Sequence, residues 1–173
     1  YLARRYLKEN FDDGSIDVTS VEINKSLTLL PHCRYVYAEH HDCRAAMRND
    51  MFRHAKYDWH LMIDARLTLM NEDFLMRYLC CGAQIGEVAC GGVCVDGGSL
   101  TAQLYRENLR FRYEKHEESK HSCPERKAEP YKAFRTTNFF YHKSVLLQVP
   151  YNEQVSGYGY EDVLLGKALR EKK

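Results

Sequence analysis

Apolar and polar residues recur along the chain with two periods, and the switches between them mark out helices and strands. Charged and apolar residues interleave from Tyr1 to Glu9 as in a short helix, and Phe11-Asp12-Asp13-Gly14-Ser15 follows as a turn rich in carboxylates. From Thr19 to Leu30, the apolar positions Val21, Ile23, Leu27 and Leu30 predict an amphipathic helix stopped by Pro31. Cys33 to Ala38 alternates as a short strand. Arg44 to Lys56 has no breaker and predicts a helix with Ala45, Ala46, Phe52 and Ala55 along one side. Trp59 to Ile63 reads as a buried strand that ends at Asp64.

In the second half, Asn71 is placed to cap a helix running to about Cys81, with Asp73 in its first turn. Gly86 to Val95 reads as a strand carrying Gly91-Gly92. Leu104 to Lys120 is charged with interleaved Tyr105, Leu109, Phe111 and Tyr113, and predicts a partly helical excursion over the sheet. Ser119 to Pro130 is polar and proline-bounded, the pattern of a loop. Asn138 to Tyr141 is a short strand, and Tyr160 to Glu171 a final helix with acids first and bases last. Strands alternating with helices at this spacing predict one α/β domain over residues 1–173, with a mainly parallel central sheet flanked by helices.

Composition narrows the picture. A 173-residue chain with 45% hydrophobic and 28% charged residues can bury a core without a metal or disulfide staple. A net charge of +1 gives no broad basic field for nucleic acid, so an anionic ligand needs a local site. Seven cysteines, odd in number and irregularly spaced, read as reduced and mostly buried thiols rather than a zinc site. No apolar run is long enough to span a membrane. The expected compartment is the cytoplasm, with an acceptor at the membrane surface left open.

Ligands bind α/β sheets at the carboxyl ends of strands, which draws attention to Asp64 at the end of an apolar run. Such a carboxylate is costly to bury unless paired or liganded, although capping the next turn would also account for it. Asp12-Asp13 suits a turn, and Glu161-Asp162 suits any helix start. The same pair at a helix start could take a proton from a bound hydroxyl.

Taken in order, these segments resemble the family 2-like glycosyltransferases of GT-A fold. The resemblance runs from about Asn10 onward through Asp12-Asp13-Gly14-Ser15, Arg44-Ala45-Ala46-Met47-Arg48-Asn49 and His60-Leu61-Met62-Ile63-Asp64-Ala65-Arg66. It continues through Cys90-Gly91-Gly92, Thr137-Asn138-Phe139-Phe140 and Tyr158-Gly159-Tyr160-Glu161-Asp162. It is nearest to small bacterial members with Ala-x-Arg-Asn, Asp-x-Asp and Gly-Tyr-Glu-Asp segments, and implies a role in polysaccharide biosynthesis.

The resemblance implies a nucleotide diphosphate sugar as donor, a saccharide or lipid-linked acceptor, and a divalent metal, manganese or magnesium. Asp12 or Asp13 would meet the base or ribose, and Arg48 and Asn49 the nucleotide side. Asp64 would meet ribose and metal. Gly91 and Gly92 would let backbone pass close to the sugar, and Asn138 would border the acceptor. Asp162 would be the general base, with Glu161 beside it.

Two departures qualify it. The second acid of Asp-x-Asp is replaced by Arg66, a permanent cation that cannot ligate a metal but can pair with a diphosphate. The family's opening strand and nucleotide-gripping loop have no counterpart before Tyr1, and its second strand is reduced to Phe11. The expectation is either residues outside the given sequence or a domain lacking half a nucleotide pocket. Inverting sugar transfer is therefore one expectation, and a catalytically inactive GT-A-like binding or scaffold protein the alternative. A dinucleotide oxidoreductase is disfavoured, since no Gly-x-Gly-x-x-Gly follows the first strand.

Overall fold

The computed structural model describes residues 8–12, 18–37, 43–64, 67–96, 98–117, 121–155 and 159–172. The chain is mixed α/β. Among these residues the strands are β1 (Lys8–Asp12), β2 (Cys33–Tyr37), β3 (Trp59–Ile63), β4 (Val88–Cys90) and β5 (Asn138–His142). The α-helices are α1 (Val18–Ser26), α2 (Arg44–His54), α3 (Phe74–Leu79), α4 (Thr101–Glu107), α5 (Leu109–Glu117), α6 (Cys123–Ala128), α7 (Ser144–Gln148) and α8 (Glu161–Glu171).

β5 is the centre of the molecule. Its residues Asn138-Phe139-Phe140-Tyr141 are all buried, so it tolerates apolar side chains on both faces. It pairs antiparallel with β3 on one side, Ile63 opposite Asn138, and with β4 on the other, Cys90 opposite Phe139. Phe139 and Tyr141 stack on one face with ring centroids 4.5 Å apart. That face carries the core, in which Ala45 and Phe52 of α2, Val145 and Leu146 of α7 and Leu165 of α8 meet Met62 and Tyr151. On the opposite face Phe140 stacks on Trp59 at 5.1 Å and touches the Tyr78 ring at 5.5 Å.

The expected mainly parallel sheet appears here as one parallel pair, β1–β2, beside a three-stranded antiparallel sheet. Antiparallel pairing follows from β5 running back between two strands that both end at the same edge. The Arg34 guanidinium of β2 donates to the His54 carbonyl of α2 at 2.7 Å.

Several local expectations need correction. Residues 8–12, read as helix end and turn, form a strand. Their polarity hid it, but a strand is held by its ladder as well as by its side chains. Thr19–Leu30 is α1 plus a single 3₁₀ turn at Leu27–Leu29, and its apolar residues Ile23, Leu29 and Leu30 are exposed. The helix expected from Asn71 starts two residues later, with Asp73 at its N-cap. The strand expected over Gly86–Val95 shortens to β4, because β5 offers only three partners there. The supposed loop at Ser119–Pro130 contains α6, started by a capping box in which Ser122 and Glu125 satisfy each other's backbone N–H. The cysteines are free thiols but not mostly buried: Cys80, Cys81, Cys94 and Cys123 are exposed. Among the described residues no helix is long and apolar enough to cross a membrane.

Candidate functional site

Four chain segments meet at the edge where β3 and β4 end and β5 begins. The Asp64 N–H donates to the Thr137 carbonyl at 2.9 Å, and the Gly91 N–H donates to the Asn138 carbonyl at 2.9 Å. Both bonds extend the ladders one residue past the strands, so Asp64, Gly91 and Asn138 are neighbours through backbone geometry alone. Asp64 is half-buried. Its carbonyl accepts from the Leu67 N–H at 3.0 Å, so it also closes the turn that follows.

Asn138 is buried, and its side chain is held from two sides. Its Oδ1 accepts a very short hydrogen bond from the Tyr78 hydroxyl, and its Nδ2 lies 3.5 Å from the Gly92 carbonyl. Burial pushes the Tyr78 phenol up to about 12, so it stays a donor across the physiological range. Gly91 is required here by space: a Cβ would overlap the Asn138 amide and the Tyr78 hydroxyl.

The fourth segment is the start of α8. Gly159 has φ +102° and Tyr160 φ +67°, so the chain turns through two left-handed residues before the helix begins. The first suits glycine. The second costs a tyrosine about 1 kcal/mol. This turn presents Glu161 and Asp162 in the helix's first turn, where the unsatisfied N–H groups favour negative charge.

Arg48 of α2 lies beneath them. It is 6% exposed, and its Nη1 is 3.2 Å from Glu161 Oε1 and 2.9 Å from Asp162 Oδ1. Arg44 reaches Glu161 at 3.6 Å. Asp162 also accepts from Thr136, its Oδ1 from the hydroxyl by a very short bond and its Oδ2 from the N–H at 3.2 Å. Thr136 therefore links α8 to the strand edge, since Thr137 holds Asp64. Tyr151 packs against the same cluster, 2% exposed, with the Arg48 guanidinium 5.4 Å over its ring and its hydroxyl without a hydrogen-bond partner. Its burial pushes the phenol well up. The Arg48 guanidinium and the Thr136 hydroxyl oppose that rise in part.

Asn49, expected at the nucleotide, is instead a buried clamp. Its amide donates to the Tyr151 carbonyl at 3.0 Å and to Glu153 at 2.7 Å, and it accepts from the Tyr151 N–H at 3.0 Å. Arg48 likewise spends its charge on protein carboxylates. Asp13 and Arg66 lie outside the described residues, and Asp12 is placed only as the last residue of β1. The structure thus gathers Asp64, Gly91, Gly92, Asn138, Glu161 and Asp162, with Arg48 behind them. Thr136, Tyr78 and Tyr151 join the group without having been expected. Among them only Thr136 had a sequence cue, its position beside the Thr137-Asn138 segment.

Among the described residues no three His, Cys, Asp or Glu side chains converge as a metal-ligand group, so those residues do not by themselves make a metal site.

No family model matches the chain, and no curated protein matches it significantly.

Proposed function

We propose that this chain is a GT-A-like domain that transfers a sugar, with inversion, from a nucleotide diphosphate sugar to an acceptor hydroxyl. One observation carries the reading: the ends of β3 and β4, the start of β5 and the first turn of α8 place Asp64, Gly91, Asn138 and Asp162 around one edge. The carboxyl ends of β3 and β4 lie there, and in open parallel α/β sheets ligands bind at such ends. A wider, mainly parallel GT-A sheet belongs to the same proposal.

In the reaction, Asp162 takes the proton of the acceptor hydroxyl. The oxygen then bonds to the anomeric carbon, the bond to the diphosphate oxygen breaks, and its electron pair leaves with the diphosphate. The Asp162 Oδ2, with a single hydrogen bond from Thr136, keeps a free lone-pair direction for that proton. Asn138, held by Tyr78 and Gly92, would border the acceptor.

The test is a panel of uridine and guanosine diphosphate sugars, read by thermal shift and by transfer to saccharide acceptors. The expected result is a nucleotide-dependent rise in melting temperature, with turnover reduced about 100-fold or more in Asp162→Asn. No shift with any donor would refute it.

A second reading, a non-catalytic binding or scaffold protein, is favoured by the same carboxylate. Asp162 accepts three bonds from Arg48 and Thr136, as a structural ion pair would. That reading expects no turnover, and none after Arg66→Asp. Sugar transfer by the unaltered protein ends it.

A further inference from the structure

A cavity of about 180 Å³ opens past the end of β4. Gly91, Gly92 and Thr137 line it from the sheet, and Arg126, Lys132 and Arg135 from α6 and the segment after it. Its carboxylates make their bonds elsewhere. Glu125 accepts from the Ser122 N–H at 2.6 Å and hydroxyl at 2.7 Å, neutral donors that fix the carboxylate and leave its charge in place, Glu129 pairs with Lys132 at 3.1 Å, and Glu117 has a partner of its own.

The guanidiniums are not so committed. Arg126 Nη1 donates to the His121 carbonyl at 2.8 Å, and Arg135 Nη1 to the Phe134 carbonyl at 2.7 Å. Each is anchored by a neutral backbone oxygen, and neither has a carboxylate partner among the described residues. Arg126 also depends on glycine: a Cβ at Gly92 would stand 2.8 Å from its Nη1. Two guanidiniums with no carboxylate partner among the described residues, Arg126 lying against Gly92, suit an anion with oxygens enough for both.

The cavity adjoins the candidate base. Thr137 lines it, and Thr136 holds Asp162. The Cys90 thiol, pushed up to about 11 by burial, is raised further by Asp162 and lowered by Arg126, so it lies within the field of both.

We propose that the Arg126–Arg135 cavity seats a diphosphate group, the two guanidiniums carrying the charge-neutralising role otherwise given to a divalent cation. The diphosphate belongs either to the donor's leaving group or to the linker of a lipid-diphosphate acceptor. Its assignment to either one rests on the transferase reading above; the anion chemistry of the cavity does not.

The experiment is calorimetric titration of inorganic pyrophosphate into the full chain in excess EDTA, with sulfate as the comparison anion. Arg126→Gln, Arg126→Lys and Arg135→Gln are compared with the unaltered protein, and Arg77→Gln on α3, exposed and outside the cavity lining, serves as a control. Pyrophosphate is expected to bind at least 10-fold more tightly than sulfate. The affinity should fall 10-fold or more in Arg126→Gln and Arg135→Gln, less in Arg126→Lys, and not in Arg77→Gln. Circular dichroism confirms folding, and Arg126→Lys carries the test should the glutamine variants not fold.

Binding that appears only with manganese, that matches sulfate, or that ignores all three cavity variants overturns the proposal. Saturating uridine or guanosine diphosphate then tells the sources apart: competition with pyrophosphate marks the donor's group, and simultaneous binding marks the acceptor's linker. Sugar transfer unaffected by Arg126→Gln would sink this inference and leave the transferase reading standing. Pyrophosphate bound at Arg126 with no transfer from any donor would do the reverse.

Discussion

Replacing Arg48 by methionine tests whether the α8 turn is held by charge. The guanidinium side chain is 8% exposed and serves two carboxylates, Glu161 at 7% and Asp162 at 18%. Removing one partner of a buried ion pair costs about 3–5 kcal/mol, because the remaining charge stays desolvated and unpaired. Here two contacts soften the loss. Arg44 remains 3.6 Å from Glu161, and Thr136 still donates to Asp162. The low end applies, about 3 kcal/mol, or a fall in melting temperature of about 6–12 °C for a chain of this size. Urea unfolding by linear extrapolation measures it. The triple variant Arg48→Met, Glu161→Gln, Asp162→Asn removes the stranded charges with their partner, so it should recover at least half of the loss. A single-variant loss below about 1 kcal/mol, or a triple variant no better than the single, would show that the cluster contributes shape rather than charge.

Asn49→Ala should cost about 3 kcal/mol in the same assay, since it strands the buried Tyr151 N–H and carbonyl together. Nucleotide or pyrophosphate affinity should be unchanged at protein concentrations and temperatures where the variant is folded. Gly91→Ala should destabilise by about 1–3 kcal/mol because its methyl overlaps the Asn138 amide. Gly92→Ala meets only the tip of Arg126 and should leave unfolding nearly unchanged while weakening pyrophosphate binding. His60 gives a pH test. Burial lowers its pKa below the ordinary histidine value, and the Tyr57 carbonyl opposes this only in part. The unfolded chain then binds the proton more readily, so this histidine's contribution is complete above the ordinary pKa and is lost as pH falls through the interval below it. The urea midpoint should drop on acidification from pH 7, and His60→Phe should flatten that slope; an equal slope in both proteins refutes the assignment.

Where one periodicity dominates, the sequence was enough. β3 and β5 are short apolar runs, α2 has no breaker, and α8 carries its acids and bases at the right ends. Even there the pattern named only part of the buried face of α2: Ala45 and Phe52 are buried, whereas Ala46 and Ala55 are only partly so. Arg48 and Asn49 lie inward with Ala45 and Phe52, because partners 102–114 residues away satisfy them. Lys8–Asp12 was illegible as a strand, since its signal lies in pairing with Cys33–Tyr37 rather than in its side chains. α6 carries a legible helix start, Ser122-x-x-Glu125 with Pro124, but its polarity and proline together also match a loop. The strand-end rule found Asp64, and the resemblance supplied Asn138. Neither could find Arg126, whose place in the site depends on the space left by Gly92.

The edge of the sheet and the start of α8 make opposing demands on one side chain. As the partner of Arg48 and Thr136, Asp162 should be held still and its charge satisfied. As a base, it should have an oxygen free to accept a proton. The geometry divides these roles between its two oxygens. Oδ1 takes the Arg48 guanidinium and the Thr136 hydroxyl, while Oδ2 takes only the Thr136 N–H. Under the transferase proposal an acceptor hydroxyl would approach Oδ2, and the Thr136 hydroxyl would be a positioning group that keeps Oδ1 turned inward. Thr136→Val keeps the N–H and removes that hydroxyl. If Asp162 is the base, the substitution should lower kcat more than it raises KM, because releasing Oδ1 lets the carboxylate turn and so unfixes Oδ2, without touching the Arg126–Arg135 cavity. Thr136→Ser, which restores the hydroxyl, should recover most of the loss. Equal kcat in the three proteins would mean that the proton leaves by another route, and that Asp162 serves only to hold α8 against α2.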